Sequence, residues 1–170
     1  MVGVIKPSYH RIIVAGNPRV VERVVETATN MIPGRLAKKG TAAAQVVVSS
    51  GSGALLSGWI GYEQTDALYR PADIDTAHAA NDIIAILYGG GFDIQAVLAT
   101  SQTITVDDVL IAGANGLVTE GAILSVSSGA STTDLTIDGN YPSEGEPIAT
   151  ALENVTTTSA VARLAVRSRI

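Results

Sequence analysis

The sequence predicts an all-β protein, a small antiparallel barrel or tulip-like β domain carrying an extended N-terminal arm, and three observations predict it. Hydrophobic residues make up 46% of the chain but aromatics only 4%, with one Trp, one Phe and 17 Gly, so the core is built from Val, Ile, Leu and Ala. β-Branched side chains of that kind fit a pleated surface better than a helix. From Gln45 onward, short apolar runs alternate with turn residues every eight to twelve positions or so, the spacing of a barrel or sandwich. Helical periodicity is weak throughout, and no heptads and no long internal repeat are evident.

At 170 residues the chain fits one domain with an appended arm. A globule of this length buries roughly 70% of the surface its unfolded chain exposes, so no staple is required. The expected organisation is a basic extended arm and link over residues 1–40 and a barrel-like body over residues 41–170. Cysteine is absent, which excludes disulfides, thiolate metal sites and thiol nucleophiles. No apolar run approaches the roughly 18–20 residues that span a bilayer, and no signal-peptide layout opens the chain, so a soluble, untargeted protein is expected.

The elements follow in order. Arg11 to Ala15 and Val20 to Val25 are short apolar patches separated by Gly16-Asn17-Pro18; both suit extended segments, although Val20 to Glu26 also places valines one helical turn apart. Pro33-Gly34 punctuates the chain, and Arg35 to Gly40 links into the body. Gln45 to Ser49 reads as a strand ending in Ser50-Gly51-Ser52-Gly53, and Gly58 to Tyr62 as another whose glycines permit close backbone approach. Pro71 to Ala80 reads as a surface loop. Asp75 to Leu87 is the best helix candidate, but Ile83-Ile84-Ala85-Ile86 fits a buried strand equally well. Ile83 to Tyr88, Gly89-Gly90-Gly91 and Phe92 to Leu98 read as a hairpin, with Phe92, Ile94, Ala96 and Leu98 on one face. Asn115-Gly116 turns the chain between Val109–Ala112 and Leu117–Thr119, and Asp138-Gly139 is a second signal of this kind after Leu135 to Ile137. A helical turn at Pro147 to Asn154 is an option. A final strand, Ala160 to Arg167, points Ala162, Leu164 and Val166 to one side.

Charge is segregated along the chain. Through Gly40 there are seven basic residues against two acidic ones; from Thr41 to Ala162, Arg70 faces fourteen acids; Arg163, Arg167 and Arg169 close the chain. So acidic a body repels nucleic-acid phosphates, and a protein surface is the expected partner. Basic ends on an acidic body also suit self-association, the end of one copy lying on the body of the next. The bland reading of each single charge is solubility alone.

Tests for chemistry point away from catalysis. Only His10 and His78 are available as general bases, each expected at a surface or interface, and no Gly-x-Ser-x-Gly elbow occurs. Gly89-Gly90-Gly91 leads into a strand instead of a helix N-terminus, and no Lys follows Lys39, so no phosphate-cradling loop is indicated. Asp73, Asp75, Asp107 and Asp108 lack the spacing of a calcium loop and are read as turn and cap residues. One Trp and five Tyr offer little for sugar stacking, and Asn154-Val155-Thr156 carries no weight as a glycosylation acceptor. No catalytic residue, cofactor or metal is expected.

An ordered set of segments is similar to the small decoration (cement) proteins of tailed phages and archaeal tailed viruses. They are Pro33-Gly34-Arg35-Leu36 with Lys38-Lys39-Gly40-Thr41, Gly58-Trp59-Ile60-Gly61-Tyr62-Glu63, the glycines 89–91, Val106-Asp107-Asp108-Val109-Leu110 leading to Asn115-Gly116-Leu117-Val118, Pro147-Ile148-Ala149 with Leu152-Glu153-Asn154-Val155, and Arg163 to Arg167. The chain departs from the pattern at Asp107-Asp108, where Gly-Asp is usual, and at Ala149, where Gly often follows the Ile. The resemblance implies a homotrimer at threefold or quasi-threefold positions on the outer capsid surface of a virion, clamping neighbouring capsomers. Its implied partners are the major capsid protein and neighbouring copies, with no nucleic acid and no membrane. The residues expected to bind the capsid or other subunits are Lys6, Tyr9, Arg11, Arg19, Arg23, Arg35, Lys38 and Lys39. The arm through Asn30 is expected to gain order only on the capsid. Two rival readings remain: another β-rich virion component, such as a head fibre base or tail accessory, and a carbohydrate-binding or hydrolytic module using Glu63, Asp107 or Glu153.

Overall fold

A computed structural model describes residues 11–51, 55–121 and 146–170. Among these the fold is all-β, with a single 3-10 turn at Ala114–Gly116. The strands are β1 (Ile13–Ala15), β2 (Arg19–Val25), β3 (Leu36–Lys39), β4 (Gln45–Val48), β5 (Leu56–Ile60), β6 (Ile83–Tyr88), β7 (Asp93–Leu98), β8 (Thr103–Ile104), β9 (Val109–Ala112), β10 (Val118–Glu120), β11 (Ala149–Ala151), β12 (Val155–Thr156) and β13 (Ala162–Ser168). Lys6, Tyr9, His10 and the Asp138-Gly139 turn lie outside the described residues.

Strands β2 to β6 close into a five-stranded barrel in the order β2-β4-β3-β5-β6. A second ring of five, β7-β10-β9-β11-β13, closes because β13 also pairs with β7. β1 pairs with the start of β7, and β8 pairs with β12 in a short ribbon.

The two barrels are the same structure, a repeat that the sequence does not display. In each, the first strand runs parallel to the third and antiparallel to the fifth, while the second pairs with the third and fourth and the fourth with the fifth. Registers repeat as well. Arg23 opposite Ile84 becomes Ala96 opposite Leu164, Ala37 opposite Gly58 becomes Leu110 opposite Ala149, and Trp59 opposite Leu87 becomes Thr150 opposite Arg167. Outside the ladders, Gly34 N–H donates to the Ile60 carbonyl and Ile60 N–H to the Arg35 carbonyl, both at 2.8 Å. Asp107 with Ala151, and Ala151 with Asp108, repeat these bonds at 2.9 Å. Gly34 and Asp107 both take a positive φ, 84° and 72°, so Asp107 adopts the turn geometry that glycine supplies at the equivalent place.

Residues 11–40 hold three strands joined by turns, and they do not form an arm. β1 lies on the second barrel, while β2 and β3 are two of the five staves of the first. In the segment Val20 to Glu26, Val20 to Val25 is thereby strand and not helix, and so is Ile83 to Tyr88. The glycines 89–91 do not turn a hairpin: β6 pairs with β2 and β5, β7 with β13, β1 and β10. They form the crossing between barrels, where Gly90 and Gly91 N–H donate to the carbonyls of Ile170 and Ser168 at 2.8 Å. Pro147 to Asn154 holds strand β11 and no helical turn. The Asn115-Gly116 turn is as expected, both residues having positive φ.

Alternation along each strand explains the core. Val25, Ala37, Val46, Ile60, Ile84 and Ile86, with Met31, fill the first barrel. The opposite faces of β3, β5 and β6, bearing Leu36, Trp59, Ala85 and Leu87, belong to the same apolar cluster as the interior of the second barrel. Those strands are buried on both faces, so they read as continuous apolar runs.

Candidate functional site

The seam between the barrels gathers half of the buried polar residues among those described: Arg35, Ser49, Gln95 and Ser168. On the first barrel it is formed by the turn Pro33–Leu36, Trp59 and the loop at Ile74–Asp75. On the second it is formed by the outer sides of β7 and β13 and the turn at Asn115–Gly116. Val97 N–H donates to the Gly34 carbonyl at 3.2 Å, and Gly116 N–H to the Ser49 carbonyl at 2.8 Å. Trp59 Nε1 donates to Ser168 Oγ at 2.9 Å. A Cβ at Gly34 would run into the Gln95 carbonyl oxygen, so only glycine lets the turn approach β7.

Arg163 is the clamp of this seam. Its guanidinium donates to the carbonyls of Pro33 (3.2 Å), Gln95 (3.3 Å) and Ile74 and to Asp75 Oδ1 (2.9 Å). Burial pushes its pKa down, and Asp75 opposes that shift.

The basic residues expected to grip a partner are dispersed. Arg35 is buried in the seam, where Nη1 donates to the Asn115 carbonyl at 3.1 Å and Nε has no partner among the described residues. Burial, and then the neighbouring Arg163 cation, lower its pKa. A side chain so placed is not free to touch a capsid, and this corrects the expectation for Arg35. Arg23 is half-buried and donates to the Glu22 carbonyl at 2.9 Å; Lys38 Nζ donates to Ser50 Oγ at 2.9 Å. Arg11, Arg19 and Lys39 are exposed. Arg19 lies opposite Tyr88 at one end of the first barrel, whereas Lys39 pairs with Val46 beside Val25 at the other. Six strand residues at about 3.3 Å each separate those ends by ~20 Å.

The carboxylates of the hydrolytic reading have structural tasks. Glu63 Oε1 accepts the N–H groups of Ile12 (2.8 Å) and Ile13 (3.0 Å), and Arg11 Nε lies 3.9 Å away. Beside it is an open groove of about 360 Å³ lined by Arg11, Ile13, Asn17, Val20, Glu63 and Gln64. Glu153 is buried and accepts Ala165 N–H at 2.7 Å. Asp107 is exposed in its turn at the far end of β9. His78, expected at the surface, is buried, with Nδ1 3.1 Å from the Tyr69 carbonyl and Nε2 3.2 Å from the Gly61 carbonyl.

Compared with known proteins, the sequence matches no protein-family model and no curated protein. The functional reading therefore rests on this chain's own residues and the resemblance they carry. Sequence reasoning missed the seam, because Arg163, Trp59 and Gly34 come from distant segments. Arg163 and Arg167 alternate alike along β13 in the sequence, and only the fold buries the first and exposes the second.

Proposed function

We propose that this chain is a structural virion protein without catalytic activity, decorating and stabilising the outer surface of a tailed-virus capsid. It acts as a homotrimer at threefold or quasi-threefold positions and clamps neighbouring capsomers. One observation carries the reading: several of the segments similar to decoration proteins meet at the seam. Gly34 and Arg35, Trp59, the glycines 89–91, Asn115-Gly116 and Arg163 are the residues through which one barrel holds the other. They join two small barrels through one apolar core, and a clip that resists outward pressure requires such a block. Exposed Arg11, Arg19 and Lys39 remain as cationic contacts for acidic groups of a partner.

Cosedimentation with shells of the major capsid protein from the same virus tests this. Saturable binding in multiples of three copies is expected. Arg11→Glu with Lys39→Glu is expected to weaken it about fivefold to thirtyfold, at roughly 0.5–1 kcal/mol per exposed charge. Raising salt is expected to do the same. Absence of binding to intact shells rejects the reading.

A further inference from the structure

The turn Ala114–Gly116 is where the second barrel meets Leu36 and Ser49 of the first, and it contains the chain's one Asn-Gly pair. Such a pair reacts with itself. Glycine places no side chain beside its backbone nitrogen, so the Gly116 nitrogen, once deprotonated, reaches Cγ of Asn115 unhindered. A C–N bond forms, the side-chain amide leaves as ammonia, and a five-membered succinimide results. Water then opens either carbonyl of the ring. One product is aspartate; in the other, isoaspartate, the chain runs on through the side chain. The balance is water in and ammonia out, with no redox change.

The seam holds this reaction back. Gly116 is buried and its N–H donates to the Ser49 carbonyl at 2.8 Å, so the proton that must leave is sequestered from hydroxide. Asn115 has φ 58° and ψ 29°. That ψ turns the Gly116 nitrogen toward Asn115's own nitrogen, whereas ring closure needs it beside the side chain. Arg35 Nη1 fixes the same peptide group from its other end, donating to the Asn115 carbonyl at 3.1 Å. The Asn115 side chain is itself exposed. The restraint therefore lies in the backbone, and opening the seam removes it.

We infer that Asn115 is a self-modification site gated by the seam, and that its isoaspartate product makes opening of the seam one-way. The iso linkage puts an extra carbon into the backbone between the Asn115 Cα and the Gly116 nitrogen. Gly116 has no slack to absorb it: a Cβ there would lie 2.6 Å from both the Leu36 carbonyl oxygen and Val48 Cγ2. The bonds from Gly116 to Ser49 and from Arg35 to Asn115 then cannot both re-form. Aspartate keeps the original chain path and tolerates positive φ, as Asp107 does at 72°. The two products carry the same charge, yet only the iso form keeps the barrels from closing. No shell enters this chemistry, so it stands apart from the capsid reading.

Peptide mapping of the purified full chain, incubated at mildly alkaline pH with and without denaturant, tests it. In denaturant Asn115 is expected to convert ahead of Asn30, Asn81, Asn140 and Asn154. In the folded chain its conversion is expected to be at least about a hundredfold slower, because the rate follows the fraction of molecules whose seam is open. Arg163→Lys gives up carbonyl contacts of the clamp but keeps its charge, and is expected to raise the folded rate at least about fivefold. The isoaspartate form, once separated, is expected to unfold at lower denaturant than the unmodified chain, while Asn115→Asp unfolds like the wild type. Equal rates in the folded and denatured chain, a folded rate indifferent to Arg163→Lys, or an isoaspartate form as stable as the wild type overturns the proposal.

Discussion

His78 has two carbonyl oxygens facing its ring, yet a neutral imidazole carries one N–H and donates to only one of them. Protonation would satisfy both, and Asp82 also favours the cation, but burial dominates and holds the pKa below its usual value. The unfolded chain then binds a proton that the folded one does not. Stability is complete above the unfolded value of about 6.5 and is lost as pH falls through that value toward the folded one. Chemical denaturation between about pH 7.5 and 5 is expected to show this decline, and His78→Gln is expected to flatten its upper part. An unchanged slope in the variant would assign the decline to carboxylates. The burial of His78 was not legible in the sequence: an Ala-rich loop with Asp73, Asp75 and Asp82 reads as solvent-facing. It folds inward because Ile74 and His78 are its two buried side chains, Ile74 joining the main core.

Among the elements, β2 and β6 show why periodicity fails here. Ile83 to Leu87 is apolar without interruption because Ile84 and Ile86 fill one barrel while Ala85 and Leu87 face the other. A strand with two dry faces has no alternation to read. The glycines 89–91 read as a hairpin because a glycine cluster between two strands specifies a reversal without specifying the partner. The turns before β3 and β9 supply a paired test of the repeat. Gly34→Ala places a Cβ against the Gln95 carbonyl at positive φ and is expected to destabilise by at least about 1–3 kcal/mol. Asp107→Gly relieves the same backbone conformation at an exposed site and is expected to be neutral or to stabilise by up to ~1 kcal/mol. Denaturant midpoints decide both, and equal effects of either sign would contradict the equivalence of the turns.

At the scale of the molecule, the apolar cluster that fills the second barrel continues through Phe92, Trp59, Leu36 and Leu87 onto the outside of the first. The first barrel keeps a smaller cluster inside it, but its outer face belongs to the core of the second, so losing that core unfolds both together. The transition followed by fluorescence of the single tryptophan, Trp59 in the seam, is expected to coincide with the loss of far-ultraviolet circular dichroism. Two separated transitions would make the barrels independent. The same continuity explains why residue 40 is not a boundary: removing residues 11–30 would take a stave from the first barrel, not an appendage from a body.

The amino-acid sequence by itself determined the all-β class, the small-residue core, the Asn115-Gly116 turn and the buried side of β13. These follow from local chemistry: side-chain branching, turn propensity and alternation act within a few residues. Only the tertiary structure decided which strands pair, that the barrels repeat, and which charges are buried. Between β2 and its counterpart residues 92–98, Val24 and Val97 are the one identical pair. A barrel interior accepts any apolar side chains of fitting volume, so register and hydrogen bonds persist where residue identity does not.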